Sequence, residues 1–239
     1  MSKPLGHKSY GSIPHLPNSR LGPKDYSIHE GQARILTERT RDRHDTIIVQ
    51  EKLDGSNVAV ANINGELVPL TRAGYVATTS PFEQHHLFAH WVKQNAKRFD
   101  FLEPGQRLCG EWLAQAHGTR YDVDDRTVFV AFDLMTGKER ATLEVFLNTV
   151  VDRGIDVAAL IAATSRAVPL EEALDFLGVY GRHGAMDPVE GVMYRCERNG
   201  KVDFLAKWVR PDKVDGHYLP EISGGGPVWN WRPKRQVTP

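Results

Sequence analysis

Alternating apolar and polar positions dominate the middle of the chain. From Thr46, TIIVQEKL is an apolar run bounded by polar residues, and SNVAVANI alternates small and β-branched side chains, so both predict strands. Asn62–Gly65 (NING) is a hairpin signal, and GELVPLTRA is the expected returning strand. The period then lengthens. SPFEQHHLFAHWVKQNAKRF keeps Leu87, Phe88 and Trp91 at helical spacing, with Ser80 placed to cap the helix and Pro81 in its first turn. RLCGEWLA and TVFVAFDLM predict two more strands. Leu143–Arg153 and Leu170–Leu177 predict helices, and Asp156–Ser165 a further short one. EGVMYRCE and VDFLAKWVR form a last strand pair around the turn Asn199-Gly200. Residues 1–28, rich in Gly, Pro, Ser and His, show no lasting period and predict an irregular arm. The chain beyond Pro211 is loop-like. Strand pairs interleaved with a few helices argue for an α+β domain with antiparallel sheets. There is no βαβ series and no GxxxxGK[ST], so neither a Rossmann nor a P-loop site is expected.

Composition changes this picture little. The 239 residues suit one large domain, and 41% hydrophobic with 25% charged residues is ordinary for a globular protein. Lys+Arg and Asp+Glu are both 30, so any nucleic-acid surface must be local. Residues 1–50 carry eight basic against five acidic side chains, and residues 207–239 six against three. Cys109 and Cys196 stand alone and predict buried thiols rather than a disulfide or a zinc site. The N-terminus MSKPLGHKSYGS lacks the apolar segment of a signal peptide, and no apolar run approaches the ~18 residues of a membrane span, so a cytoplasmic location is expected.

Candidate chemistry centres on Glu51-Lys52-Leu53-Asp54-Gly55-Ser56-Asn57. A lysine at a strand end points its amine into a cleft, and the glycine permits a turn there. KxDG alone is a weak signal, equally read as a solvated lysine beside a turn. Further residues follow at intervals: Arg72 in LTRAGY, Glu111 in CGEW, Phe132-Asp133 in VAFDLM, Glu190-Gly191 in VEGVMYR, and Lys207 in FLAKWVR.

In this order the set resembles motifs I, Ia, III, IIIa, IV and V of the covalent nucleotidyltransferases: ATP-dependent RNA ligases, DNA ligases and mRNA capping enzymes. It most resembles the phage-type RNA ligases of the second class, whose motif I reads KxDGxN, with Asn57 matching the Asn. The likeness spans about Thr46 to Arg210. It implies an antiparallel-sheet nucleotidyltransferase (adenylyltransferase, ATP-grasp-like) domain over 46–210, an N-terminal arm over 1–45 packed on it, and a tail over 211–239. Only 29 residues follow Arg210, too few for an OB domain.

The resemblance implies that Lys52 attacks ATP to form lysyl-AMP, which passes to an RNA 5′-phosphate and is displaced by a 3′-OH, a chemistry suited to RNA repair. A lysine nucleophile must be neutral, so its ordinary pKa of ~10.4 must be lowered by burial or nearby positive charge; a bound Mg²⁺ and Arg72 are the expected sources. Lys52, Asp54, Arg72 and Lys207 are implied as catalytic. Glu51, Lys52, Asn57, Arg72, Glu111, Phe132, Glu190 and Lys207 are implied as nucleotide-binding. Within that set Glu111 accepts from ribose hydroxyls, Phe132 stacks on the purine, and Lys207 neutralises the α-phosphate. Glu190 and Asp54 are the implied contacts of Mg²⁺ or Mn²⁺, hard ions that take oxygen ligands. The family's motif V usually holds two lysines. Here Lys207 stands between Leu205 and Val209, and either Arg210 supplies the second cation or that role is missing.

Other readings stay open. A guanylyltransferase or a DNA nick sealer would use the same motifs, and an end-binding module without turnover would retain the fold. The expected partners are RNA with 5′-phosphate and 3′-OH ends, nicked or templated, with a partner protein supplying end binding, and no membrane. His86 and His90 have metal-ligand spacing beside His85, but no third ligand accompanies them. Trp229 and Trp231, near Arg232, Lys234 and Arg235, are read as packing on the domain, with base stacking the alternative. Arg20, His29 and Arg34 are read as solvated or structural at least as readily as RNA contacts.

Overall fold

The β-rich pattern folds into two sheets, antiparallel apart from one short parallel pair, seen in a computed structural model that describes residues 3–233. The first sheet contains β1 (Asp45–Lys52), β8 (Leu160–Thr164), β9 (Gly191–Arg198) and β10 (Lys201–Val209), ordered β10-β9-β1-β8. The second contains β2 (Ser56–Ile63), β3 (Glu66–Thr71), β4 (Gln106–Trp112), β5 (Phe129–Thr136) and β6 (Glu139–Arg140), ordered β3-β2-β4-β5-β6, with β7 (Asp156–Val157) beside β5. The helices are α1 (Glu30–Thr37), α2 (Glu83–Gln94), α3 (Leu143–Val150), α4 (Leu170–Leu177) and α5 (Pro220–Ser223).

Strand alternation assigns the faces. In β1, Ile47 and Val49 join Tyr194, Cys196, Ala206 and Trp208 in a core under α1 and α4. In β2, Val58 and Val60 join Leu108, Trp112, Phe129 and the α2 residues Phe88 and Trp91 in a second, aromatic core. The facing sides of the sheets meet through a smaller cluster of Tyr10, Ala59, Cys109, Met135, Met193 and Leu205, and Ile48 of β1 reaches into the aromatic core. Beyond it the sheets diverge around a cleft of about 1030 Å³. Both hairpin turns form as expected, with Asn64-Gly65 and Asn199-Gly200 at positive φ.

Three expectations need correction. Residues 156–165 form strands, because Val130 and Ala131 of β5 pair with Asp156 and Val157, and β1 pairs with 160–164. These ladder contacts override the local helical tendency of an alanine-rich segment. Helix α2 starts at Glu83 with Phe82 at its N-cap, since the Ser80 hydroxyl is engaged by His85 Nδ1 at 2.6 Å. The arm is not wholly irregular, because it contains α1, whose Ala33 and Leu36 are buried against the first sheet. Cys109 and Cys196 are free, buried thiols. Among the described residues no helix is long and apolar enough to cross a membrane.

Candidate active site

Register builds one end of the cleft. Lys52, the last residue of β1, pairs with Gly191, the first of β9, and Gly191 also pairs with Val209 of β10. Glu190 therefore enters beside Lys52, and its Oε2 lies 2.5 Å from Lys52 Nζ. A Cβ on Gly191 would fall 1.9 Å from the Trp208 carbonyl oxygen, so only glycine lets the three strand ends approach this closely. Gly55 is needed for a related reason rather than for the expected turn. A Cβ there would lie 2.6 Å from the Trp112 carbonyl, where β2 runs against β4.

The charge state of Lys52 departs from expectation. Burial pulls its ammonium pKa down, but the carboxylates of Glu190, Glu111 and Asp54 outweigh burial and hold it above the ordinary lysine value. Burial conversely pushes Glu190 up, against the pull of Lys52. Arg72 does not supply the expected lowering charge at Lys52, because its guanidinium donates to the Gly11 carbonyl at 3.3 Å and to Ser12 Oγ at 3.5 Å, on the arm. Lys207 is the cation whose pKa falls, chiefly through burial and then through the charge of Lys52. Lys207 Nζ also lies 3.4 Å from Asp25 Oδ1, and Asp25 meets the buried His15 at 3.2 Å.

Asp54 is held from three sides. Its backbone N donates to the Tyr121 hydroxyl at 3.1 Å, and its Oδ2 accepts from Gly118 N at 2.8 Å and faces Lys213 Nζ at 2.6 Å. Lys213 is buried and also reaches Thr119 Oγ1 at 2.6 Å. The cation nearest this carboxylate is thus Lys213. Arg210, the sequence candidate for the second motif V charge, pairs instead with Asp212 at 3.2 Å.

The second sheet supplies the other end. Glu111 sits opposite Asn57 in the β2–β4 ladder, and its Oε1 accepts from Gly55 N at 3.1 Å. Burial pushes the Glu111 carboxyl up to about 8, despite the nearby charge of Lys52. Asn57 Oδ1 is buried without a hydrogen-bond partner. Phe132 is half-buried. Tyr10 of the arm lies edge-on to its ring at 5.1 Å, and Met193 and Leu205 of the first sheet line the same cleft. The Tyr10 hydroxyl donates to Asp133 Oδ2 at 2.5 Å, and the buried Asp133 is held by Arg195 and Arg140. An apolar slot with one polar acceptor at its edge suits a flat base.

Lys52, Asp54, Asn57, Arg72, Glu111, Phe132, Glu190 and Lys207 all line this one cleft. The Glu51 carboxylate is set apart from them. Alternation turns it to the opposite face of β1, where Oε2 accepts from Arg182 N at 2.8 Å and Gly181 packs against it. Burial there pushes its pKa up to about 7. Sequence reasoning missed Tyr10, His15, Asp25, Tyr121 and Lys213. Of these, Tyr10 and His15 lie in the arm segment YGSIPHLPNSR, and Lys213 stands as a lone lysine shortly after Lys207. His85, His86 and His90 do not converge, and among the described residues no group of three His, Cys, Asp or Glu side chains is arranged to hold a metal. Trp231 is buried against Trp112 and donates to Asp125 Oδ1 at 2.9 Å, in line with the packing reading, while Arg232 lies over Trp229. Arg20 pairs with Asp215, and Arg34 with Glu38. Lys234 and Arg235 lie outside the described residues.

The model of the RNA ligase family matches residues 45–209. No curated protein matches the chain. Among solved structures, a Naegleria gruberi RNA ligase variant with AMP and Mn superposes with a TM-score of 0.52 at 13% identity, over 85% of this chain and 60% of that one. An apo variant of the same ligase gives 0.52 at 12%, over 88% and 60%. An archaeal ATP-dependent RNA ligase gives 0.46 at 20%, over 84% and 48%. The chain spans about half the length of the archaeal ligase and 60% of the two Naegleria variants. At such identities the Naegleria likeness bears on the fold alone. The family match covers most of the chain, from the first strand through Lys207, and on that match this protein belongs to the RNA ligase family.

Proposed function

We propose that this chain is an ATP-dependent RNA ligase that forms lysyl-AMP at Lys52, passes AMP to an RNA 5′-phosphate and seals it to a 3′-OH. The observation that carries this reading is the Lys52–Glu190 pair at 2.5 Å, in a cleft that also holds Lys207, Glu111 and Phe132. In the resting site Lys52 is charged. Glu190 faces this ammonium at 2.5 Å, and the ammonium must lose a proton before Nζ can attack. The freed Nζ lone pair then attacks the α-phosphorus of ATP, the P–N bond forms, and the bond to pyrophosphate breaks. Lys207 is placed to balance charge on the α-phosphate, and preorganised charge of this kind is the main protein contribution to phosphoryl transfer. Glu111 accepts from the ribose, and Phe132 stacks on the base.

The donor set fits a divalent cation carried in with the nucleotide. Glu190 and Asp54 are two carboxylates on the cleft wall, and Mg²⁺ is commonly bound by one or two carboxylates plus substrate phosphates rather than by a protein cage. Such an ion would supply charge neutralisation at the triphosphate. We place the catalytic unit wider than 46–210, since Tyr10, His15 and Asp25 from the arm and Lys213 from the tail contact its side chains.

The test is incubation with α-labelled ATP and Mg²⁺, followed by a denaturing gel. Wild type should retain label and Lys52→Ala should not; persistent labelling of the variant would sink the assignment. Normal metal dependence in Glu190→Ala would move the metal contact to Asp54. Sealing further requires two aligned ends, where a small misplacement costs ~100-fold. Nicked duplexes should therefore be joined better than free single strands.

A further inference from the structure

Two stretches that the fold brings together contain no acidic residue. Residues 3–24 carry Lys3, Lys8, Arg20 and Lys24, and residues 67–82 carry Arg72, without one Asp or Glu. At the chain average of 30 acids in 239 residues, stretches of that combined length would hold about five. The fold lays the two against each other. Ser9 N and Tyr10 N both donate to the Arg72 carbonyl, at 3.1 and 3.4 Å. Gly74 packs so closely on the arm that a Cβ would lie 2.2 Å from the His7 carbonyl oxygen. Lys3 Nζ sits 5.0 Å from the centroid of the Tyr75 ring.

The result is one bank of the cleft mouth that is basic and aromatic. Tyr75 is 37% exposed and Phe82 49%, both line the mouth with Arg72, and Lys8 is exposed beside them. Elsewhere on the cleft lining Lys207 and Arg20 are already matched by Asp25 and Asp215. A strand whose 5′-phosphate enters toward Lys52 is drawn to the side whose cations have no carboxylate partner.

We infer that the bank of Lys3, Lys8, Arg72, Tyr75 and Phe82 is the track for single-stranded RNA leading from its 5′-phosphate, with phosphates on the cations and bases on the two rings. This rests on the RNA ligase reading above. Cations interleaved with exposed rings match a strand that alternates phosphates and bases, and such stacking is tolerant of sequence. The track accounts for nucleic-acid binding by a chain of zero net charge, because the cations that matter are gathered where no carboxylate offsets them.

The experiment is fluorescence anisotropy with a 5′-phosphorylated single-stranded RNA of about ten nucleotides, titrated at several salt concentrations. The proteins are wild type, Tyr75→Ala, a Lys3→Gln/Lys8→Gln double variant, and Lys201→Gln on the exposed β9–β10 hairpin as control. Tyr75→Ala should weaken binding about tenfold, the scale of one lost base stack. The double variant should flatten the slope of log affinity on log salt by about one to two. Lys201→Gln should bind like wild type, and every variant should take label from α-labelled ATP, showing an intact fold. Wild-type affinity and salt slope in both rim variants would overturn the inference, as would an equal loss in the Lys201 control. A loss of the same size for a polyglutamate peptide would also overturn it, by showing a general polyanion site. Failure of the ligase reading is separately visible, as a wild-type protein that takes no label whatever its RNA affinity.

Discussion

The two sheets divide the site between them. The first carries Lys52, Glu190 and Lys207, all in close charge pairs, and its core under α1 and α4 is built mainly from aliphatic side chains. The second carries Asn57, Glu111 and Phe132, and rests on a cluster of Phe88, Trp91, Phe99, Trp112, Phe129 and Trp231 with ring centroids 5.4–6.1 Å apart. The difference teaches a division of labour. On the proposed reading, the charged groups of phosphoryl transfer sit at or near strand ends, whereas the groups assigned to the nucleoside belong to a sheet backed by an aromatic floor. Interlocked rings fix such a floor, since packed interiors do not deform continuously.

Four changes test that contrast. The largest effect belongs to the first sheet: Lys52→Ala should abolish self-adenylylation while thermal unfolding stays near wild type, because the change removes the nucleophile and leaves both cores intact. Second, Trp112→Ala in the floor should cost about 3–5 kcal/mol of stability in a denaturant titration, the range for a buried tryptophan. If Trp112→Ala instead lost less than the same truncation of a partly exposed aromatic, the floor would not be the rigid element described here.

Third, Phe132→Ala should weaken ATP binding by ~1–3 kcal/mol, the cost of a lost base–aromatic contact, with little change in the rate at saturating ATP. Unchanged ATP dependence in both Phe132→Ala and Glu111→Ala would return these side chains to structural roles. The smallest effect concerns Glu51, behind the Lys52 strand. Its carboxyl is raised from 4.5 to about 7 by burial, so the neutral form stabilises the fold below 4.5 and that contribution is lost as pH rises through 7. Glu51→Gln keeps the side chain neutral. Its stability relative to wild type should therefore grow between about pH 5 and about pH 8, by on the order of 1–2 kcal/mol. The differences between urea midpoints at the two pH values measure it, and a constant difference would refute the assignment.

Much of this contrast was legible in the residues themselves. The strand pairs around Asn64-Gly65 and Asn199-Gly200 followed from alternation and turn chemistry, which act over a few residues. The motif residues from Lys52 to Lys207 were also legible, because the chemistry demands particular side chains in a particular order. Even the displacement of Glu51 was available, since a residue next to Lys52 in a strand faces the other way. What escaped depends on distant partners. Residues 156–165 became strands only because β1 and β5 offered open edges. Lys213 met Asp54, and Asp25 met Lys207, across separations that local periodicity does not encode.

The sequence by itself thus determined the family, the sheet-rich architecture and the candidate lysine, each set by short-range pattern or by the kinds of side chain the chemistry requires. Only the tertiary structure decided the state of that lysine. Burial alone would lower its pKa, but Glu190 just before β9, Glu111 on β4 and Asp54 just before β2 raise it above the ordinary lysine value. Coulomb energy depends on distance through space, and only the folded chain sets those distances.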